Sequence, residues 1–365
     1  MTVDIKSSRV ALVHDFLTQW GGGERVLLEF HRMFPEAPIY TLIADEEVLP
    51  VEMRGADIRP SRAQRKFKRG KSPLSYVPYL PSAADALMIR GYELVVVSSS
   101  SFAHGVRTDA RYRIDYIHNA MRFAWDYDEY IRDYPVAKVW KPAGKVAAGY
   151  LKWWDKSRAS RSGRVVANSS TVQRRIRERW GLHAEVIFPP ADLSACRVSN
   201  ERKTHFVVAA RLVPYKRVDV AVEAANRTGL PMVVLGDGPD RARLEKLAGP
   251  TVQILGWVPE DVKYQLIKTA FAVVVPGVED YGLVPVEANA CGVPVVAYRR
   301  GGVIDTQVDM FTSLLVYEQT PQAFARALVA ACSVKWEPRE IAQHATRFSD
   351  AEFRRKFEET LGRWQ

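Results

Sequence analysis

Phe271-Ala272-Val273-Val274-Val275-Pro276-Gly277-Val278-Glu279-Asp280-Tyr281-Gly282-Leu283-Val284-Pro285-Val286-Glu287 changes period in the middle. The unbroken apolar run 271–275 reads as a buried strand, and Pro276-Gly277 ends it. A helix begins near Gly282, and Pro285 suits its first turn, where a missing N–H costs nothing. The free N–H groups of Leu283 and Val284 then point outward and favour an anion. Glu279 and Glu287 would repel that anion, so they make sense only if they face neutral hydroxyls beside it. An anion with hydroxyls on both sides is what a nucleotide sugar presents: a pyrophosphate between a sugar and a ribose.

Working outward, the same alternation fills the chain. Strand-like runs recur at 206–210, 232–235, 252–255, 294–297 and 314–317, with helical patterns at 219–226, 241–247, 260–269, 283–290 and 321–331. Upstream, strands are expected at 10–14, 39–43, 94–98, 114–118, 165–168 and 185–188, and helices at 24–33, 82–89 and 171–180. Strand and helix in turn predict an α/β architecture, a mostly parallel sheet with helices on its faces. The polar stretch 189–203 divides the chain into two doubly wound, Rossmann-like domains, 1–195 and 196–348, expected to face each other across a cleft. Ser349-Asp350-Ala351-Glu352 is a capping box that opens a last helix, 349–365, with Phe353, Phe357 and Leu361 on one face. That helix follows a completed second domain and is expected to cross back onto the first.

The 365 residues suffice for two domains with ample core. No apolar run approaches the roughly eighteen residues of a membrane span, and the opening residues read as a polar lead into a strand, not as a leader. Three scattered cysteines, Cys196, Cys291 and Cys332, argue against a disulfide framework or a zinc site and point to a reducing cytosol. The net charge of +10 is uneven: residues 1–200 hold 31 Lys and Arg against 22 Asp and Glu, the remainder 21 against 20. Arg59, Arg62, Arg65, Lys66, Lys68, Arg69 and Lys71 run without an acid into an apolar and aromatic stretch, which suits an anionic membrane surface. A second basic stretch, Lys138 to Arg164, interleaves Trp140, Tyr150, Trp153 and Trp154.

Several other residues could do chemistry. Gly21-Gly22-Gly23-Glu24 follows the first strand and lets the backbone approach a ligand, although Gly-x-Gly-x-x-Gly is absent. Arg211 and Lys216 follow the strand at 206–210, at the edge where parallel sheets bind ligands, and would stabilise a departing pyrophosphate. His118 ends another strand and could hydrogen-bond a sugar hydroxyl or polarise an acceptor. Asp126-Tyr127-Asp128 permits a divalent cation, but with these cations and a helix terminus present a metal would be redundant.

Taken with Tyr116-Ile117-His118-Asn119-Ala120-Met121-Arg122, Ala167-Asn168-Ser169 and Gly236-Asp237-Gly238-Pro239, these motifs, in this order, resemble the retaining glycosyltransferases of family 4, of the two-domain GT-B fold. The resemblance spans nearly the whole chain. It implies that Glu279 contacts donor-sugar hydroxyls, that Glu287 holds the ribose, and that Arg211 and Lys216 bind the pyrophosphate. It also implies that the backbone of Gly21, Gly22, Gly236, Gly282, Leu283 and Val284 approaches the nucleotide, that His118 lies near the donor sugar, and that no metal or other cofactor is needed. Asp280-Tyr281 stands where a small residue and Phe are commoner, and Asn119-Ala120 where Thr or Asn precedes Pro. The segment 118–126 most resembles bacterial polysaccharide mannosyltransferases. GDP-mannose is therefore the first donor expected and a UDP-hexose the second, with a lipid-linked or membrane-associated saccharide as acceptor. The resemblance places such an enzyme in the cytoplasm, peripheral on the cytosolic membrane face. The acid/base set or cofactor lysine that a related epimerase or phosphorylase would need is not apparent. A nucleic-acid-binding protein would fit the basic first half, but no recognised binding module accompanies the charge.

Overall fold

A computed structural model describes residues 9–69, 73–131, 141–199, 201 and 203–363. Its strands are β1 (Val10–Leu17), β2 (Ile39–Ala44), β3 (Ile58–Pro60), β4 (Met88–Ile89), β5 (Leu94–Ser99), β6 (Arg107–Thr108), β7 (Tyr112–Ile117), β8 (Arg164–Ala167) and β9 (Glu185–Val186). They continue as β10 (His205–Ala209), β11 (Met232–Leu235), β12 (Val252–Gly256), β13 (Ala270–Val275), β14 (Val295–Tyr298) and β15 (Ser313–Val316). The chain divides into two units, one up to Pro190 together with Phe353 onward, the other Ala191–Glu352.

In the first unit seven parallel strands run in the order β3-β2-β1-β5-β7-β8-β9, while β4 and β6 pair in a ribbon of their own. In the second, six parallel strands run β12-β11-β10-β13-β14-β15. Each order reverses once, between β1 and β5 and between β10 and β13. At such a reversal the loops leaving the two strands part in opposite directions and open a crevice at the strands' carboxyl ends. The chain therefore contains two doubly wound α/β domains, the architecture of GT-B glycosyltransferases.

Alternation along the central strands explains the layering. In β10, Phe206 and Val208 enter one core cluster with Val218, Ala221 and Phe324, while Val207 enters another with Val273, Ile267 and Val295. A strand buried on both faces has no polar side to show. The last helix, Asp350–Gly362, opens as its capping box predicts, with the Glu352 N–H donating to Ser349 Oγ at 3.3 Å. Its Phe353, Phe357 and Leu361 complete the first unit's core, with Phe357 4.7 Å from the Phe30 ring centre. Each such side chain contributes about 1.5–3 kcal/mol by leaving water. The buried Glu29 carboxylate, paired with Arg354 at 3.2 Å and Arg32 at 3.1 Å, fixes the helix laterally.

Several elements differ from the sequence reading. The helix expected at 82–89 spans Leu80–Ala86, because the chain turns at Leu87 to form β4. Lys141–Ala159 is a nineteen-residue helix and Pro338–Ala345 an eight-residue one, neither of them expected. The first escapes recognition because its core stripe is narrow: Leu151 and Trp154 are buried, whereas Val146, Tyr150 and Trp153 are exposed.

Candidate active site

The second unit's crevice is assembled by loops that approach backbone to backbone. Gly236, at the end of β11 with φ +118°, lies where a Cβ would come 1.9 Å from the Ala210 carbonyl oxygen. Gly277, after β13, lies where a Cβ would come 2.5 Å from that of Lys216. No side chain fits at either position, so the β10 loop sits directly between its neighbours. On the opposite flank, Gly301 and Gly302 after β14 close on Glu279 and Tyr281, and the Gly302 N–H donates to the Glu279 carbonyl at 2.7 Å. Two adjacent glycines shortly after a strand were the available sequence signal for this loop.

Lys216 and Glu279 form an ion pair at this crevice, their side chains 19% and 17% exposed. Burial pulls the Lys216 ammonium down, but Glu279, then Tyr215 and Asp280, push its pKa above the ordinary value, so it stays charged. The two residues read from separate motifs thus meet in the structure. Arg211 is exposed and donates from Nη2 to the Tyr215 hydroxyl at 3.0 Å.

The helix Leu283–Ala290 begins after Gly282, which lies in the left-handed region at φ 96°. Among the described residues no acceptor meets the N–H of Leu283 or Val284. Glu287, 2% exposed, is held by Lys263 Nζ at 3.0 Å. Lys263 lies on the helix Glu260–Lys268, and nothing in its local sequence marks it as the partner of a residue in another helix.

The first unit's crevice is made differently. Asp15, near the end of β1, accepts the backbone N–H groups of Ser100, Ser101, Phe102 and Ala103 after β5. Beside it, His14 Nδ1 lies 3.0 Å from Ser98 Oγ, which lies 2.8 Å from His118 Nε2. His14 also faces the Glu24 carboxylate at 3.8 Å, in the first turn of the helix Gly22–Met33. Burial, then the neighbouring His14, depress the His118 pKa to about 4 against the opposing pull of Asp15 and Glu24, so the ring is neutral near pH 7. Gly22 is exposed and Gly21 half-buried in front of it. Asp15 and Ser98 were missed, although an acid ending the first strand and the serine run 98–101 ending another were visible.

Asp126 pairs with Arg179 at 2.6 Å and Arg122 at 3.9 Å, and Asp128 with Lys145 at 3.2 Å, so this acidic pair is engaged by cations. Among the described residues no group of three His, Cys, Asp or Glu side chains has a metal-holding arrangement. In the basic run, Arg69 is tied to Asp45 and Glu47, and Arg59 to Asp57 and the Tyr40 hydroxyl, acids that lie outside the run. Arg62, Arg65, Lys66 and Lys68 remain exposed, while Lys71 and 138–140 lie outside the described residues.

Known proteins share this fold. The description "Glycosyltransferase Family 4" matches residues 20–195, and "Glycosyl transferases group 1" matches 194–348. D-inositol 3-phosphate glycosyltransferase of Mycolicibacterium gilvum is 33% identical over 181 residues, 44% of this chain and 40% of that protein. Anabaena HepE, solved with UDP, superposes with a TM-score of 0.68 at 17% identity over 96% of this chain and 99% of its own. Sucrose-phosphate synthase of Thermosynechococcus elongatus does so with 0.72 at 16% identity over 96% and 98%. The chain spans half the length, or less, of the first curated relatives it matches. The adjoining matches and the fold together identify the chain as a family 4-like glycosyltransferase of the GT-B fold.

Proposed function

We propose that this glycosyltransferase moves a hexose from a nucleotide sugar to a hydroxyl of a lipid-linked or membrane-associated saccharide, with retention at the anomeric carbon and without a metal. The observation that carries the reading is the charged Lys216–Glu279 pair beside the open helix start at Leu283. In this reading the helix start, Arg211 and Lys216 take the pyrophosphate, and Glu279 takes the sugar hydroxyls. Glu287, oriented by Lys263, takes the ribose, with Gly21, Gly22 and Gly236 giving the backbone room to approach. As the bond from the anomeric carbon to the phosphate oxygen breaks, negative charge grows on the leaving group, where fixed cations stabilise the transition state more than the ground state. The acceptor oxygen bonds to the anomeric carbon from the same face, and its proton passes to the departing phosphate. His118, uncharged, can hydrogen-bond a hydroxyl without competing with the cations.

GDP-mannose is the first donor to test, on the 118–126 resemblance; a UDP-hexose is the second, because HepE has been solved with UDP and glucose. Membrane association at the cytosolic face is supported by exposed Arg62, Arg65, Lys66 and Lys68. The helix Lys141–Ala159 adds Val146, Tyr150 and Trp153, 77%, 53% and 60% exposed at helical spacing. No helix among the described residues is long and apolar enough to cross a membrane.

Thermal-shift titration with GDP, UDP and ADP and their sugars identifies the donor, since a ligand at 100-fold its Kd stabilises by about 2.7 kcal/mol. With that donor, Glu279→Ala is expected to lower kcat by about 10²- to 10³-fold while nucleotide affinity changes far less. Unchanged turnover in this variant would overturn the assignment.

A further inference from the structure

The first unit contains a second concave feature, outside its crevice. The ribbon of β4 and β6 borders a cavity of about 560 Å³ lined by Arg90, Arg107, Arg113 and Arg161, with Thr108 among them. Arg113 donates to the His104 and Val106 carbonyls at 2.6 and 2.9 Å as well as to Asp115. Arg161 donates to the Gly105 carbonyl at 2.5 Å and to Asp85 at 2.6 Å. Arg107 Nε donates to the Asp85 backbone carbonyl at 2.8 Å. A carbonyl orients a guanidinium but leaves its charge uncompensated, so much of this cluster is fixed by groups that do not neutralise it.

The nearby acids are fewer than the cations. Asp115 is taken by Arg113, and Asp85 is shared by Arg158 and Arg161. Asp109 accepts the Gly91 N–H at 3.2 Å. Burial tends to raise the Asp85 pKa, but its bonds to Arg158, Trp154 and Arg161 outweigh that and hold it near 2, so Asp85 is fully ionised and the local balance is still positive. Arg90 and Arg107, both exposed, form no ion pair with any described residue. Like charges held together repel one another, and a planar guanidinium can match the bidentate geometry of a phosphate.

We propose that this pocket is a phosphate-binding site in which Arg90 and Arg107 grip the anion, Arg161 backs them and the Thr108 hydroxyl donates to it. The phosphate could be that of a free phosphate ester or of a phospholipid headgroup. Arg161 shares Asp85 with Arg158, which lies 5.9 Å over the Trp153 ring on the exposed helix face.

The test uses the full chain, the double variant Arg90→Gln/Arg107→Gln and, as control, Arg227→Gln, an exposed arginine of the second unit. Thermal unfolding is followed against inorganic phosphate and glycerol 3-phosphate. Sedimentation is followed with phosphatidylcholine vesicles with and without phosphatidic acid. The double variant is expected to unfold at the parent temperature without ligand and to lose about tenfold or more in phosphate or vesicle affinity, while the control keeps both. Arg90→Gln alone serves if the double variant does not fold. Loss of phosphate stabilisation with no vesicle binding assigns a free ester, and loss of phosphatidic acid-dependent sedimentation assigns a headgroup. Equal responses in parent and double variant, equal losses in double variant and control, or no response of the parent to either ligand overturns the proposal.

Discussion

The two crevices sit at equivalent reversals of two similarly ordered sheets, yet they are furnished in opposite ways. In the first unit a row of backbone N–H groups after β5 is occupied by the chain's own carboxylate, Asp15. In the second, the N–H groups of Leu283 and Val284 have no acceptor among the described residues, and the nearest charged pair includes the cation Lys216. A doubly wound sheet provides the same backbone donors twice. What distinguishes a structural joint from a ligand site is whether a side chain of the protein already fills them.

The most damaging way to break the comparison is to remove the internal anion. Asp15→Ala leaves the buried N–H groups of Ser101, Phe102 and Ala103 without this acceptor, each costing about 1–3 kcal/mol if nothing replaces it. A net loss of about 3–5 kcal/mol is expected in urea unfolding, with Asp15→Asn milder because one oxygen still accepts. A loss below about 1 kcal/mol would mean that Asp15 does not hold the crevice together.

Legibility in the sequence followed the same division. The second sheet could be read strand by strand because its central strands are apolar on both faces and its strands are bounded by turn residues; the expected 241–247 helix is the observed Arg241–Leu247. Lys216 and Glu279, which the structure pairs, could be singled out because charges just past strand ends have no local partner there. Asp15, Ser98 and Lys263 could not, because their partners lie 85, 20 and 24 residues away and only the folded register brings them together. The helix Lys141–Ala159 was lost for a different reason: a helix with a large exposed apolar face breaks the periodicity that identifies buried ones.

A smaller effect tests the electrostatics of the first crevice. The His118 pKa, about 4, lies below the unfolded value of 6.5, so protonation favours unfolding. Its contribution is complete above pH 6.5 and is lost as pH falls towards 4. Between pH 7 and pH 4.5 that amounts to about 2–3 kcal/mol, superimposed on whatever the carboxylates contribute. His118→Gln should therefore lose less stability than the parent over this interval in urea unfolding. Identical pH profiles would show that burial and the neighbouring His14 do not keep the ring neutral.

The smallest effect sharpens the comparison most, because it makes the second crevice imitate the first. Leu283 is half-buried at the first position of its helix, so Leu283→Asp places a carboxylate at the open N–H groups without disturbing the fully buried core. An acid in a first helical turn is worth about 0.3–1 kcal/mol to the helix, offsetting the partial apolar burial that the leucine side chain gives up. Stability should therefore move by less than about 1 kcal/mol, whereas a ligand phosphate would meet a like charge where it now meets donors. Nucleotide affinity should fall about tenfold by calorimetric titration, and Leu283→Asn, the same shape without the charge, should recover most of it. If Asp and Asn weaken binding equally, the loss is steric, and the helix start does not serve the second unit as an anion site.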